Sequence, residues 1–135
     1  MAFSWSPSYS VKISRFDDDH KHLLSLINAL REAIAVRVGS AVVQPILDEL
    51  ADYATGHFAA EEALMEQAQF PGLSSHRTEH QEFVEQMGLI QKDVLRTGGR
   101  GQALALSVFL HEWLINHILD TDHLYIGHLD GAVAK

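Results

Sequence analysis

The chain of 135 residues contains no cysteine. This absence excludes disulfide bonds, thiolate catalysis, iron–sulfur clusters and cysteine-based zinc sites. Any metal that this protein binds must therefore be held by nitrogen and oxygen ligands.

Basic residues and long apolar runs are also scarce. Ten Lys and Arg oppose eighteen Asp and Glu, a formal net charge of −8, which argues against nucleic acid or an anionic membrane as a partner. No apolar run reaches the roughly 18 residues of a membrane-spanning helix, and the first residues lack the features of a secretory signal. We therefore expect a cytoplasmic protein that neither binds nucleic acid nor inserts into a membrane.

What the chain does contain is a set of amphipathic helical patterns. Its length and its 47% hydrophobic content suit a single domain over residues 1–135. Residues 1–16 follow no helical or strand period and predict an extended N-terminal arm, in which Phe3 and Trp5 pack against the body. A first helix is predicted over about residues 18–37, because three successive aspartates at 17–19 suit a helix start.

Three further helices follow, separated by turn signals. The second is predicted from the low forties to about residue 68, the third from about residue 73, and the fourth just after the glycine-rich stretch 97–101. Helices of this length joined by short loops predict an all-α fold, an antiparallel up-down-up-down four-helix bundle.

Polar residues interrupt the apolar stripe of every predicted helix. In an antiparallel bundle, the starts of the first and third helices lie at the same end as the finishes of the second and fourth. The interruptions therefore converge in one layer; they are His20, His57, Glu61, His76, His80 and His117.

A metal site explains this convergence better than ordinary burial does. A single buried histidine is usually satisfied by one hydrogen bond, but five histidines and a carboxylate would compete for too few partners. Imidazole and carboxylate ligands suit iron, zinc, copper or manganese, and facing helices of a bundle are a usual place for a two-metal centre.

A second carboxylate is expected from the fourth helix, where Asp120 and Asp122 are both candidates. Asp122 follows His117 by five residues and would lie about 140° around a regular helix from it. A local wide turn would bring Asp122 inward. The spacing alone favours neither aspartate.

The chain resembles the hemerythrin family, in its single-domain bacterial form (bacteriohemerythrin), in the order and spacing of four motifs. These are Phe16-Asp-Asp-Asp-His20, His57-Phe-x-x-Glu61, His76-x-x-x-His80, and Trp113-Leu-x-x-His117 followed by Asp122 and Tyr125. Asp19 stands where the family more often has glutamine, a departure that we expect to affect only the start of the helix.

The resemblance implies a non-heme di-iron centre with seven protein ligands. It assigns three histidines to one iron, two to the other, and two carboxylates with an oxo or hydroxo group as bridges. The three histidines of the first iron are His76, His80 and His117, and the two of the second iron are His20 and His57. The bridging carboxylates are Glu61 and Asp122.

The function implied by the resemblance is reversible binding of O2 for transport, storage, buffering or sensing, without catalysis. Nitric oxide and small anions such as azide are further candidate ligands, and we expect a monomer. The alternatives are a di-iron enzyme that handles peroxide or nitric oxide, and an iron-storage or ferroxidase protein, which a glutamate-rich site would suit better.

The residues around the predicted centre are harder to interpret from the sequence. A wall for the O2 pocket is predicted, with ordinary bundle core as the alternative for each member: Leu23, Leu24, Phe58, Trp113 and Leu114. Glu62 could accept a hydrogen bond from a ligand imidazole or face solvent. The other histidines, which we do not expect to be ligands, are His22, His111, His123 and His128.

Overall fold

The computed structural model describes residues 5–37, 39–98 and 100–125. Within these ranges the chain forms four long helices and no strand. The helices are α1 (Ser14–Ala35), α2 (Ser40–Gln67), α3 (Leu73–Thr97) and α4 (Ala103–Asn116). A short 3-10 helix at Pro7–Tyr9 precedes α1, and α4 continues into a π-helical turn, His117–Thr121, and a 3-10 turn, Asp122–Tyr125.

The helices pack as an antiparallel four-helix bundle, as the sequence predicts. α1 contacts α2 and α4, and α3 contacts the same two helices. The core between them is built from apolar side chains at helical spacing, including Leu23, Ile27 and Leu30 of α1, each with no exposed surface. None of the described helices is both long and apolar enough to cross a bilayer.

α1 begins four residues earlier than predicted, because its start has no side-chain cap. The N-cap residue is Ile13, whose side chain offers no hydrogen-bonding group. Asp17, predicted as part of a cap, lies in the first turn and accepts hydrogen bonds from Ser10 Oγ (2.6 Å) and Val11 N (2.8 Å). The carboxylate of Asp17 therefore ties the arm to α1, and Val11 is fully buried beneath that connection.

The described part of the arm agrees only partly with the prediction of an extended segment. Trp5 is half-buried and its ring lies 5.4 Å from that of Tyr9, in the short helix that the prediction missed. Phe3 lies outside the described residues.

The connection between α3 and α4 closes the end of the bundle that is remote from the histidines. Asp93 is nearly buried, and its Oδ2 accepts a hydrogen bond from Ala103 N at 3.0 Å, the first residue of α4. Thr97 Oγ1 accepts from Arg100 N (3.0 Å) and Gly101 N (3.1 Å). A Cβ on Gly101 would overlap the Asp93 carboxylate, so a larger residue here would require that side chain to move.

Candidate metal centre

The residues predicted to be ligands meet in one layer at the other end of the bundle. They come from the start of α1, the last third of α2, the first turns of α3, and the segment that follows α4. Each is at most 3% exposed; they are His20, His57, Glu61, His76, His80, His117 and Asp122.

Glu61 lies at the centre of this layer. Its Oε1 accepts hydrogen bonds from His76 Nε2 at 2.9 Å and His80 Nε2 at 3.0 Å. Its Oε2 accepts one from the Tyr125 hydroxyl at 2.8 Å and lies 3.4 Å from His57 Nε2. The two oxygens of this carboxylate therefore face different histidines: Oε1 faces His76 and His80, whereas Oε2 faces His57.

Asp122 has the same double relation. Its Oδ1 lies 2.8 Å from His76 Nε2 and 3.0 Å from His117 Nε2, whereas its Oδ2 lies 3.3 Å from His20 Nε2. Neither oxygen has a hydrogen bond of good geometry in the described structure. A buried carboxylate surrounded by nitrogen atoms in this way suits a bridging cation.

Two groups of donors could hold a metal ion, and Glu61 belongs to both. The potential ligand atoms of each group lie within 4.8 Å of one another. One group is Glu61, His76, His80, His117 and Asp122, and the other is His20, His57 and Glu61. Within the larger group, His76 Nε2 and His117 Nε2 lie only 3.1 Å apart, so two ring nitrogens converge on the same space.

The predicted wide turn after α4 is present. The backbone N–H of Asp122 is shared between the carbonyl oxygens of His117, five residues earlier, and Ile118, four residues earlier, and the five-residue bond is the pattern of a π turn. Asp122 is fully buried as a result, whereas Asp120 is exposed. Asp122, not Asp120, is thus the second carboxylate of the layer.

Three further carboxylates bind the outer nitrogens of the histidines. His57 Nδ1 donates to Asp19 (2.8 Å), His80 Nδ1 to Glu62 (2.6 Å) and His117 Nδ1 to Glu79 (2.7 Å). A carboxylate on the outer nitrogen sets the ring orientation and leaves Nε2 free for the centre.

These carboxylates follow a regular pattern along the chain. Each is next in sequence to a candidate ligand on its own helix, and each binds a histidine on the following helical segment. Asp19 is next to His20, Glu62 to Glu61, and Glu79 to His80. The roles of Asp19 and Glu79 were missed from the sequence. The signal that could have indicated them is an acidic residue next to a candidate ligand.

Two sequence expectations are changed by this pattern. Asp19 does more than affect the helix start, because it also accepts a hydrogen bond from the Tyr53 hydroxyl at 2.7 Å and joins α1 to α2. Glu62 takes the first of its two alternatives and accepts from His80. Glu79 was not predicted at all, since its face of α3 is partly exposed and reads as a solvated surface.

Comparison with known proteins agrees with this geometry. Residues 11–129 match the family described as the Hemerythrin HHE cation binding domain. The chain belongs to the hemerythrin family.

Individual members of the family are similar over most of their length. A bacteriohemerythrin of Stenotrophomonas maltophilia (strain R551-3) is 30% identical over 121 residues, which are 90% of this chain and 77% of that one. A hemerythrin-like protein of Naegleria gruberi is 34% identical over 126 residues, 93% of this chain and 92% of its own. A crystal structure of wild-type hemerythrin has a TM-score of 0.85 at 27% identity, covering 96% of this chain and 98% of the other.

Three of the buried histidines of this hemerythrin-family chain have raised pKa values when no metal is present. Burial lowers the pKa of His57, but hydrogen bonds to Asp19 and Glu61 outweigh it and raise the pKa to about 9. Burial also lowers the pKa of His76, but the interactions with Asp122 and Glu61 outweigh burial and raise this pKa to about 9. The pKa of His117 is raised in the same direction, chiefly by Asp122 against the effect of burial.

The two central carboxylates shift in the opposite direction. Burial raises the pKa of Glu61, but hydrogen bonds from His57, His76 and His80 bring it well below its usual value. Burial and the charge of Glu61 raise the pKa of Asp122. The surrounding histidines lower it by more, so that the pKa of Asp122 lies below its usual value. Protons on imidazole thus supply the positive charge that a metal ion would supply.

Aromatic rings cover this layer of the hemerythrin fold. Phe58 stacks on His80, with ring centroids 3.9 Å apart, and Trp113 stacks on His117 at 4.5 Å. All of the predicted pocket residues are buried, at most 8% exposed: Leu23, Leu24, Phe58, Trp113 and Leu114. Their role as the wall of an O2 pocket stays a prediction.

Tyr125 is a further functional candidate whose role the sequence did not indicate. It is fully buried, its ring stacks on His76 at 5.8 Å, and its hydroxyl donates to Glu61. Burial and the nearby charge of Glu61 raise the pKa of this phenol far above its usual range. The hydroxyl therefore keeps its proton and serves only as a donor to Glu61.

The other histidines of the described residues lie outside both donor groups, as expected. His22 is exposed and lies 3.3 Å from Glu49. His123 Nδ1 donates to the carbonyl oxygen of Ile118 at 2.6 Å. His111 is partly buried on α4, and His128 lies outside the described residues.

Proposed function

We propose that this protein holds two iron ions at the histidine layer and uses them to bind O2 reversibly, for transport, storage or sensing. The observation that carries the proposal is that Glu61 and Asp122 each face two groups of histidines. Two shared carboxylates between nitrogen donors suit a pair of metal ions better than a single ion.

The donor atoms fit iron in kind and in number. Imidazole nitrogen and carboxylate oxygen are suitable ligands for non-heme iron. The proposed division gives His76, His80 and His117 to one ion, and His20 and His57 to the other. Because the second ion has one histidine fewer, it has a coordination position left for a ligand from solution. Bound iron would supply that position and the electrons that O2 takes up.

The protein residues hold and enclose this centre. Asp19, Glu62 and Glu79 direct three imidazoles inward, and the Tyr125 hydroxyl holds one oxygen of Glu61. The aromatic and aliphatic side chains around the layer exclude water, which would otherwise release reduced oxygen as peroxide. These roles favour reversible binding over turnover.

The direct test begins with the iron content of the pure protein. We expect close to two irons per chain, with His57→Ala lowering the content and His22→Ala, a histidine outside both donor groups, leaving it unchanged. Saturation at one iron per chain would contradict the di-iron assignment.

The second part of the test concerns O2 itself. O2 is added to the anaerobically reduced, iron-loaded protein, and the visible spectrum is followed. We expect an absorption band that appears with O2 and disappears on degassing. A band that decays with release of peroxide, without recovery on degassing, would instead favour the enzyme alternative.

A further inference from the structure

The π turn His117–Thr121 decides which residue enters the metal layer. In a regular helix, Thr121 would lie about 40° around the axis from His117, and Asp122 about 140°. A regular helix would therefore bring Thr121, not Asp122, to the face that carries His117. Asp122 N is shared between His117 O and Ile118 O, and the bond to His117 O adds one residue to the turn, so that Asp122 takes the inner position.

A π turn is a rare departure from the regular helix, so contacts that favour it over the α-helical register are expected nearby. Glu79 of α3 provides them. Its Oε1 accepts from His117 Nδ1 at 2.7 Å, and the Thr121 hydroxyl lies 2.7 Å from Oε1 and 2.9 Å from Oε2. His117 and Thr121 are the first and last residues of the turn, so one carboxylate holds both of its ends.

In the π register Thr121 lies at the flank of the bundle beside Glu79. In the regular register Thr121 would instead turn toward the face that carries His117. A second contact acts within the segment, because His123 Nδ1 donates to the carbonyl oxygen of Ile118, in the middle of the turn.

We propose that Glu79 and Thr121 form a clamp that holds the π turn and thereby positions Asp122 in the metal layer. Neither residue touches the proposed ions; both act through Asp122, and Glu79 also through His117. This inference rests on the proposed function only for the role of Asp122 as a ligand. The effect on the conformation of the turn belongs to the metal-free protein as well.

The clamp can be altered without opening the core. The Glu79 side chain is 35% exposed, in a groove of about 440 Å³ at the surface that Glu82, Glu112 and Thr121 also line. Thr121→Val removes the hydroxyl, keeps the branched shape and leaves the His117–Glu79 hydrogen bond in place. Thr121→Ser restores a hydroxyl and serves as the conservative rescue.

The first measurement is amide hydrogen exchange of the metal-free protein. We expect Thr121→Val to accelerate exchange of residues 118–125 by about tenfold, since a hydrogen bond to a charged group is lost, and to leave the far halves of α2 and α3 unchanged. Glu79→Gln should act in the same direction, because a neutral amide oxygen is a weaker acceptor than a carboxylate oxygen. Thr121→Ser should exchange as the wild type does.

Two variants on α3 are matched controls. Thr78→Val removes an exposed hydroxyl that donates to Ser74 O, and Glu82→Gln removes an exposed carboxylate of the same groove. Neither should change the exchange of residues 118–125. Wild-type exchange in Thr121→Val, or acceleration spread evenly over all four helices, would overturn the clamp.

The second measurement is an anaerobic titration of the metal-free protein with Co²⁺, followed by visible absorption. Thr121→Val and Glu79→Gln should weaken binding, while the two controls should bind as the wild type does. Wild-type affinity in Thr121→Val would show that the hydroxyl does not position Asp122 for metal. A wild-type protein that binds no metal would refute the proposed function, and the exchange measurement would still decide the clamp.

Discussion

The two ends of the bundle both bury polar groups, but they satisfy them differently. At the end that joins α3 to α4, Asp93 accepts from Ala103 N and Thr97 accepts from two backbone amides of the adjoining turn. Every one of these partners lies within the same short connection. The result is a closed local network that needs nothing from outside.

At the histidine end, the polar groups come from all four helices and do not complete one another. Asp122 has two oxygens without a well-oriented hydrogen bond, and the Nε2 atoms of His76 and His117 face each other. Either protons or metal cations can correct this imbalance. The carboxylates favour protonated histidines, and the histidine pKa values are raised for that reason. A buried polar group alone is therefore weak evidence of function, whereas a converging set without enough donors is strong evidence.

The largest expected effect is that of metal removal on the difference between the two ends. Each buried polar group left unpaired costs roughly 1 to 3 kcal/mol, so local opening of the metal-free protein should need less free energy at the histidine end than at the other. Amide exchange should be faster, though still protected, at residues 18–24, 55–62, 74–81 and 114–123 than around Ile34, Ile90 and Leu106. Equal protection of both ends without metal would contradict the comparison.

The second effect separates the two aspartates after α4. Asp122→Ala removes a carboxylate that faces both donor groups, so the iron content should fall well below that of the wild type. Asp120→Ala changes an exposed side chain two residues away and should leave the iron content nearly unchanged. Measurement of iron per chain in the two variants checks this prediction. The reverse result would show that Asp120, not Asp122, belongs to the centre.

The third effect is the pH dependence of the metal-free protein. The pKa of His57 and that of His76 are raised from the usual 6.5 to about 9 in the folded state. Their protonation therefore stabilises the folded state fully below pH 6.5, and this stabilisation is lost as the pH rises through 9. The loss is on the order of 3 kcal/mol for each histidine.

Urea unfolding of the metal-free protein at pH 6, 7.5 and 9 measures this loss. Stability should fall steadily across the three values, and Asp19→Asn should reduce the slope because it weakens the interaction with protonated His57. Metal affinity should change in the opposite direction and rise with pH, since protons and metal compete for the same nitrogens. A flat stability profile would mean that the histidines are not paired with the carboxylates.

The smallest effect belongs to the far end. Asp93→Ala leaves the first turn of α4 without its acceptor and should lower the free energy of unfolding by about 1 to 2 kcal/mol. Iron content should not change, because Asp93 lies at the opposite end of the bundle. Loss of iron in this variant would show that the two ends are coupled rather than independent.

The sequence predicts most of the fold because its turns are strongly marked. Gly39, Pro71, Gly72 and the glycines after Thr97 separate the helices, and the bounds of α2 and α3 and the start of α4 follow from them. The start of α1 could not be predicted, because Ile13 supplies no cap and the first turn is held by contacts between Asp17 and the arm. Such contacts depend on where the arm folds back, which periodicity does not contain.

The residues of the central layer were predictable for a different reason. Six of them are polar side chains at apolar helix positions, so the pattern itself exposes them. Asp122 was one of two candidates that the spacing did not separate, and the π turn of the structure decides between it and Asp120. Asp19 and Glu79 stand on partly exposed faces where acids are ordinary, and only the helix packed against them gives them a role. Their contacts are tertiary and leave no period in the sequence.

The distribution of the seven central residues along the chain also has a consequence for how the layer assembles. His57, Glu61, His76 and His80 all belong to the hairpin of α2 and α3, whereas His20, His117 and Asp122 come from the outer two helices. Glu61, His76 and His80 can therefore approach one another once these two neighbouring helices have packed together. The group of His20, His57 and Glu61 needs α1 as well, and the larger group needs the segment after α4, so the hairpin alone completes neither donor group.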